Sequence, residues 1–545
     1  MPGEHRAHRT APAPPNGRPA RGRSGGDPRR ATHGEAAPPA PPAPPRGRPA
    51  GPRRPATTAP WPPHGLLHHL LHAPGGHREA GRHVEQLTWR WSGPLDTERF
   101  TAAWQSVIDR ESVLRAALHP APAPRLILHD RARADVVRHR AGSADWERLL
   151  ERERLRGFDL RRPAPLRITL LDLPGPCTGT ARPVTRVVLT FPNALLDAYS
   201  VHLLLEEFCR AYLAGGTLPG GERRPDLRDW TAWLQRQDTA PAHQWWRTAL
   251  PAGPLALLPA RPGPPTGQRG PGRVEVRLGP REAARLHHWA ALRCVPDSSA
   301  VQMLWALLLY RAAAGGPAAV GFGVAVSGRG IALEGAERLP GPLRTCLPMA
   351  VRVDPRQPLA QLLAQLRDRA LDMAAYEWVS TARIHRWSGR GATATAGGEL
   401  FESLVSVESV PRPPAGTRAR LAAAGAVLEA EAAGGTGPGG LPLALLVHPG
   451  ADGSLTFAVV HDRSRVRDRD AHLLADHLAR LLDHLPRTGE RTTTATVLDV
   501  LEGQPLPAIA PRPRTPAGHT TAPRTFRLRP RRPPARPADR PPHPP

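Results

Sequence analysis

Lysine is absent from this 545-residue chain, so all 74 of its basic side chains are arginine, and asparagine occurs only as Asn16 and Asn193. A GC-rich coding sequence produces this bias, so the arginine count is a weak functional signal on its own. Cysteine is scarce too. Cys177, Cys209, Cys294 and Cys346 are far apart and form no C-x-x-C pair, which argues against a disulfide scaffold and for reduced thiols. No apolar segment near the start reads as a signal peptide. The longest apolar run, Met303 to Tyr310, is too short to cross a bilayer. A cytoplasmic protein with no membrane partner is expected.

The formal charge of +26 is concentrated at the ends. Residues 1–60 hold 11 Arg against 3 acids, and residues 511–545 hold 9 Arg against 1. The same two segments contain 28 of the 68 prolines. They lack apolar periodicity and cannot bury enough surface to offset chain entropy, so disordered Pro/Arg-rich tails are expected at 1–60 and 506–545. Basic tails can bind polyanions, but no aromatic-interleaved basic motif accompanies them, which argues against nucleic acid as a partner. The remaining length suits two lobes better than one core.

Periodicity fills in the folded part. A proline-started helix is expected at Pro62–His72. Alternation at Val84–Trp91 predicts a strand, and Phe100, Trp104, Val107, Ile108 and Leu114 recur at helical spacing. Further strands are predicted at Arg125–His129, Arg167–Leu171 and Arg186–Phe191, followed by an amphipathic helix over Val201–Tyr212. A tryptophan-rich helical stretch, Leu227–Leu234 with Gln244–Trp246, closes the first lobe, 61–255. Pro/Gly-rich residues 256–273 read as a linker. The second lobe, 274–505, repeats the texture: strands at Val274–Leu278, Ala319–Val326 and Ala350–Val353, helices at Ser298–Ala313, Pro358–Tyr376 and Asp470–Leu485, and a loop at Ala432–Gly440. The fold class is α/β (α+β) in two similar lobes.

Three histidine groupings compete as sites. His64, His68 and His72, with His69 beside them, share a helix face, but no fourth ligand is near and no metal is assigned. His472-Leu-Leu-Ala-Asp476 matches an acyltransferase H-x-x-x-D pattern. It lies inside a continuous amphipathic helix, where i, i+4 His and Asp form a surface pair. The third is a loop, Thr190-Phe-Pro-Asn-Ala-Leu-Leu-Asp-Ala-Tyr-Ser200, which follows a strand and precedes a helix. Its setting suits an active-site loop, although it contains no histidine.

Ordered motifs surround that loop: Gly65–Gly75, Val84–Trp89, Ser92–Asp96, Arg110-Glu-Ser-Val-Leu-Arg115, Gly157–Leu160 with Pro165–Arg167, and Asp229–Leu234. In the second half come Phe322–Arg329, Gly341-Pro-Leu-Arg-Thr-Cys-Leu-Pro348, Tyr376–Trp378 with Ile384–Trp387, and Leu400–Ser403. Each is weak alone, but their common order is specific. Together they resemble the condensation domains of nonribosomal peptide synthetases, in the chloramphenicol-acetyltransferase-like superfamily. The resemblance implies a V-shaped pseudo-dimer of two lobes. It also implies carrier proteins that present acyl or aminoacyl thioesters on phosphopantetheine arms, with no cofactor bound by the chain itself. The family loop reads H-H-x-x-x-D-G. Pro192 and Asn193 stand at its two histidines, Asp197 at its aspartate and Ala198 at its glycine.

The family's second histidine faces the reaction centre, and an asparagine amide does not titrate there, so Asn193 is no general base. It still donates and accepts hydrogen bonds, whereas Pro192 supplies neither N–H nor catalyst. The resemblance pairs Asp197 with an arginine across the lobes, for which Arg329 is the candidate; a simple helix cap is the alternative for Asp197. Tyr199, Ser200 and Ser327 are candidates to line the channel. Three readings stay open. One is an impaired condensation protein that binds carriers in trans within secondary-metabolite biosynthesis, since no adenylation or carrier segment is recognised after Val500-Leu-Glu502. The second is an active trans-acting amide-forming acyltransferase that uses Asn193 for positioning. The third, remote, is a polyanion-binding protein driven by the arginine tails.

Overall fold

Short runs rich in valine, leucine and tryptophan build two mixed sheets, each backed by helices. In this computed structural model the described residues are 57–60, 84–119, 125–174, 182–220, 224–251, 253–313, 316, 318–388, 400–407, 415–431, 441–450 and 452–511. All fall in one unit, Ala56–Pro545. The expected Pro62–His72 helix with its four histidines, the Gly65–Gly75 motif, Cys177, Ala432–Gly440 and most of both Pro/Arg-rich ends lie outside the described residues.

The first sheet runs in the order Val427–Ala430, Val84–Ser92, Val184–Pro192, Arg167–Asp172, Asp135–His139. Neighbours are antiparallel except the last pair, which is parallel. Its outermost strand, Val427–Ala430, comes from the far half of the chain. Helices Thr97–Arg110 and Ala198–Leu213 bury Phe100, Trp104, Val201, Leu204 and Phe208 in one cluster with Trp89 and Trp91. Trp104 stacks on Phe208 with ring centroids 4.8 Å apart, an arrangement that adds to simple area burial.

The second sheet is six-stranded: Thr345–Val353, Ala318–Val326, Ser403–Val407, Leu443–Pro449, Leu455–Asp462, Pro271–Leu278. Its three central strands are parallel and the flanking pairs antiparallel. Helix Asp297–Arg311 carries the longest apolar run. Because that helix is apolar on every side it is buried, with Met303, Leu304 and Trp305 inaccessible to solvent. Helices Leu359–Ala374 and Asp468–His484 complete this second cluster.

Three expectations about organisation change. The tryptophan-rich stretch divides between the clusters: Trp230 packs in the first and Trp246 in the second. Residues 256–273 are structured along the second lobe, because Ala256 bridges Val320 and strand Pro271–Leu278 starts inside that span. The second lobe also continues past 505. Ala508–Ile509 pairs with Arg261–Pro262, and Ile509 and Ala510 are buried. Among the described residues no helix is long and apolar enough to cross a membrane, and no group of three His, Cys, Asp or Glu could hold a metal.

Candidate functional site

His472 and Asp476 are both exposed on helix Asp468–His484. The expected surface setting is present, but His472 Nδ1 donates to its own helix, 2.8 Å from the Asp468 carbonyl.

The loop is built differently. Strand Val184–Pro192 is interior to its sheet, and its last residue pairs with Val84. Proline fits that terminal position because the N–H it lacks falls at the very end of the ladder. The Pro192 carbonyl accepts from the backbone N–H of Leu195 (3.1 Å) and Leu196 (3.2 Å), closing a tight turn. Ala194, Leu195 and Leu196 then peg the turn into the first core, at 2% exposure or less. Asn193 is the polar member left in this turn. It is half-buried, and its Oδ1 is sealed from solvent with no hydrogen-bond partner among the described residues. An unsatisfied buried carbonyl is costly, so Asn193 holds a position where the described fold supplies no partner for Oδ1.

Asp197 ends the loop and starts the helix. Its Oδ1 accepts from the Ser200 backbone N–H at 2.7 Å and the Ser200 hydroxyl at 2.6 Å, as a helix cap does. Its two oxygens also accept from Arg329, Nη1 to Oδ2 at 2.8 Å and Nη2 to Oδ1 at 3.0 Å. The helix cap and the long-range ion pair to Arg329 are therefore made by one carboxylate. The Arg344 backbone N–H adds a further bond to Oδ2, at 3.2 Å. Burial opposes ionisation of Asp197, but the Arg329 charge and the donors from Arg329 and Ser200 outweigh it and hold the carboxyl below its ordinary range.

The rest of the clamp orients Arg329. Nη2 also donates to Ser200 Oγ (2.9 Å) and the Leu339 carbonyl (3.2 Å), Nη1 to the Ser327 carbonyl (3.1 Å), and the guanidinium lies 4.4 Å from the Tyr199 ring centre. Gly328 makes the turn possible: its φ is +66°, and a Cβ there would sit 1.9 Å from the Leu343 carbonyl oxygen. Beneath the turn, buried Glu377 takes backbone N–H bonds from Gly330 and Gly328, though burial still pushes its carboxyl up.

These contacts revise the channel residues. Ser200 is fully buried and bonded to Asp197, Arg329 and Gly341, so it belongs to the clamp and not to a channel wall. Tyr199 is half-buried and Ser327 exposed. Arg344, which sequence reasoning passed over, sits at the clamp by its main chain. Its only signal was a place in Gly341–Pro348.

A second buried charge cluster lies on the Arg110–Arg115 motif. Arg224 bridges Glu111 at 2.5 Å and, more closely still, Glu207. Burial, with the Glu207 charge adding to it, pushes the Glu111 carboxyl up to about 8. A cavity of about 450 Å³ lined by Ser106, Asp109, Glu111, Arg224 and Asp226 opens beside it.

The Condensation domain family model matches residues 77–427. One of the linear gramicidin synthase proteins of Brevibacillus parabrevis is 29% identical over 362 residues, covering 64% of this chain and 4% of that protein. Chondramide synthase of Chondromyces crocatus is 29% identical over 341 residues, covering 60% and 8%. The chain therefore spans only a small fraction of the length of these relatives. Among solved structures, the first condensation domain of the calcium-dependent antibiotic synthetase aligns with TM-score 0.63 and 17% identity, over 81% of this chain and 99% of that one. The X-domain from teicoplanin biosynthesis, solved in complex with OxyB, aligns with TM-score 0.61 and 21% identity, over 83% and 98%. At those identities the structures speak for the fold.

Proposed function

Since this chain belongs to the condensation-domain family, we propose that it binds acyl or aminoacyl thioesters carried on the phosphopantetheine arms of carrier proteins in trans, with proton-transfer catalysis weakened at the loop. The observation that carries this reading is the pairing of an intact frame with an altered centre. Asp197 and Arg329 clamp the loop through a buried two-point ion pair, while Asn193 stands at the histidine position with an unsatisfied Oδ1.

The reaction of the family joins the amine of one thioester-bound acceptor to the acyl group of a donor, forming an amide and releasing the carrier thiol. The attacking amine must lose a proton. An imidazole at position 193 takes it; an amide does not, and the lost assistance corresponds to roughly 10²–10⁴-fold in rate. Asp197 does not replace the missing base, because its carboxylate is held ionised and its lone pairs are occupied by Arg329, Ser200 and Arg344. What Asn193 retains is hydrogen bonding: its amide Nδ2 can donate to a thioester carbonyl, which an imidazole acting as a base does not do.

The test is amide formation between loaded carrier proteins, comparing the native chain with Asn193→His and Asn193→Ala, alongside carrier affinity for each. The reading expects binding by all three and faster turnover for Asn193→His. Rapid turnover by the native chain that Asn193→His does not improve, but Asn193→Ala abolishes, supports the active reading in which Asn193 positions the substrate. A recruitment role is the second reading, favoured by the X-domain that shares this fold and was solved with OxyB. It expects partner-enzyme binding with no turnover in any variant.

A further inference from the structure

Glu377 is 6% exposed and lies under the turn that carries Arg329. One of its oxygens, Oε1, is sealed from solvent with no hydrogen-bond partner among the described residues. The backbone N–H groups of Gly330 and Gly328 are the donors that its carboxyl takes. Two glycines make that approach possible. A Cβ at position 330 would sit 2.8 Å from Glu377 Oε1, and Gly328 takes its φ of +66° at the same turn. Backbone N–H groups that converge in this way on one carboxyl form a small anion-holding concavity. Here the occupant comes from the chain itself.

The turn is a neck between the two cores. Val379 and Ile384, just after Glu377, are buried in the second cluster. Beyond Arg329 the chain crosses to the first cluster, where Leu339 and Leu343 are buried and Ile331 and Leu333 pack against it. The residue after Glu377 secures the far side of the neck. Trp378 meets Trp233 edge-on at 6.3 Å, and Trp233 Nε1 donates to the Ala332 carbonyl at 2.8 Å. Between these two holds stands Arg329, whose guanidinium reaches Asp197 and the Ser200 hydroxyl. Both of those residues stand at the end of the loop that carries Asn193. Glu377 hydrogen-bonds to neither, so its influence on the loop passes through Arg329.

We propose that Glu377 is a positioning residue for the loop. By holding the N–H groups of Gly328 and Gly330 it aims Arg329 at Asp197, and through that pair it fixes where Asn193 meets a thioester. The last step rests on the carrier-arm reading above. The hold is made by hydrogen bonds to an acceptor oxygen, so a neutral acceptor of the same shape can replace it. A side chain without an acceptor takes that partner from both N–H groups. The turn is then free to shift, and a two-point guanidinium–carboxylate pair tolerates little misalignment.

The experiment is hydrogen exchange read by mass spectrometry on the full chain, for the native protein and Glu377→Gln, Glu377→Asp and Glu377→Ala. Glu377→Ala is expected to exchange about 10-fold or more faster over residues 326–344 and also over 192–204, in the other lobe. Strand Leu443–Pro449, central in the second sheet, keeps its native protection. Glu377→Gln stays within about threefold of native in all three segments, and Glu377→Asp, whose carboxyl is held back by one methylene, falls between. Faster exchange at 326–344 alone, an equal rise in all three segments, or a Gln variant as fast as the Ala variant overturns the inference. Should Glu377→Ala not fold, Glu377→Asp against Glu377→Gln carries the same comparison. Calorimetric titration with acetyl-aminopantetheine, an amide in place of the thioester, reads the consequence for binding. Native and Gln chains should bind it alike, and the Ala chain at least about fivefold more weakly; equal affinity for native and Ala chains overturns the step from loop to thioester. No binding by the native chain overturns the carrier-arm reading, while the exchange pattern still decides the role of Glu377.

Discussion

Replacing Arg329 by alanine removes both guanidinium contacts to Asp197 and leaves a carboxylate only 5% exposed to solvent. It also withdraws the donors to the Ser327 and Leu339 carbonyls. Breaking a buried pair by deleting one partner costs about 3–5 kcal/mol, because the surviving charge is uncompensated. The pH dependence separates this cause from simple loss of packing. In the native chain the Asp197 carboxyl lies below its ordinary value of 3.8, so its stabilisation is fully present at neutral pH and is lost only as pH falls below that value toward the depressed one. In Arg329→Ala, burial is left as the dominant influence and moves the carboxyl the other way, so the variant recovers stability relative to the native chain as it acidifies. Urea unfolding followed by tryptophan fluorescence, at about pH 7 and about pH 5, measures the gap. A double variant, Asp197→Asn with Arg329→Met, should cost less than its two single changes combined. A gap under about 1 kcal/mol at neutral pH, or one that widens on acidification, refutes the reasoning.

Three other outcomes follow from the same geometry. Gly328→Ala places a side chain at positive φ against the Leu343 carbonyl; a loss of at least about 1–2 kcal/mol is expected on thermal or urea unfolding. Glu111 has a folded-state value raised to about 8, so its burial increasingly costs stability as pH climbs from its ordinary 4.5 toward 8. Glu111→Gln should therefore flatten the stability profile across that window, seen as a smaller fall in unfolding midpoint with pH. Trp305→Ala empties a fully buried position in the second core and should cost about 3–5 kcal/mol, read as a lowered urea midpoint.

Long amphipathic elements were legible from spacing alone. The stripe Val201, Leu204, Phe208 and Tyr212 predicts a helix, and the structure has Ala198–Leu213 there; the predicted strand at Arg186–Phe191 lies inside Val184–Pro192. Strands Ser403–Val407 and Leu443–Pro449 went unread for a physical reason. Both are central, and Leu443-Ala-Leu-Leu-Val447 is apolar without alternation, a composition that suits helix and strand alike. Helix Pro280–Ala291 was missed although Pro280 at its first position is a start signal. At the site, the loop frame and Arg329 were accessible through resemblance. The convergence of Ser200 on Asp197, Arg329 and Gly341 was not, because a buried serine looks like any other in sequence. Arg344 was hidden for the opposite reason, since in a chain whose every basic residue is arginine one more carries no contrast.

Strand Val427–Ala430 has a consequence for how this protein can be divided. It docks antiparallel on Val84–Ser92, and Glu431 just beyond it reaches Arg186 at 3.2 Å and Arg90 at 3.3 Å. A gene fragment cut between the lobes would thus yield a first piece whose sheet is missing a margin, with the hydrogen-bonding groups of a nine-residue strand open along one side. Such an open margin recruits whatever strand it meets. The second piece, supplied separately, carries the segment that fits. Two such polypeptides, coexpressed, would meet along these four paired residues and again where Arg329 clamps Asp197.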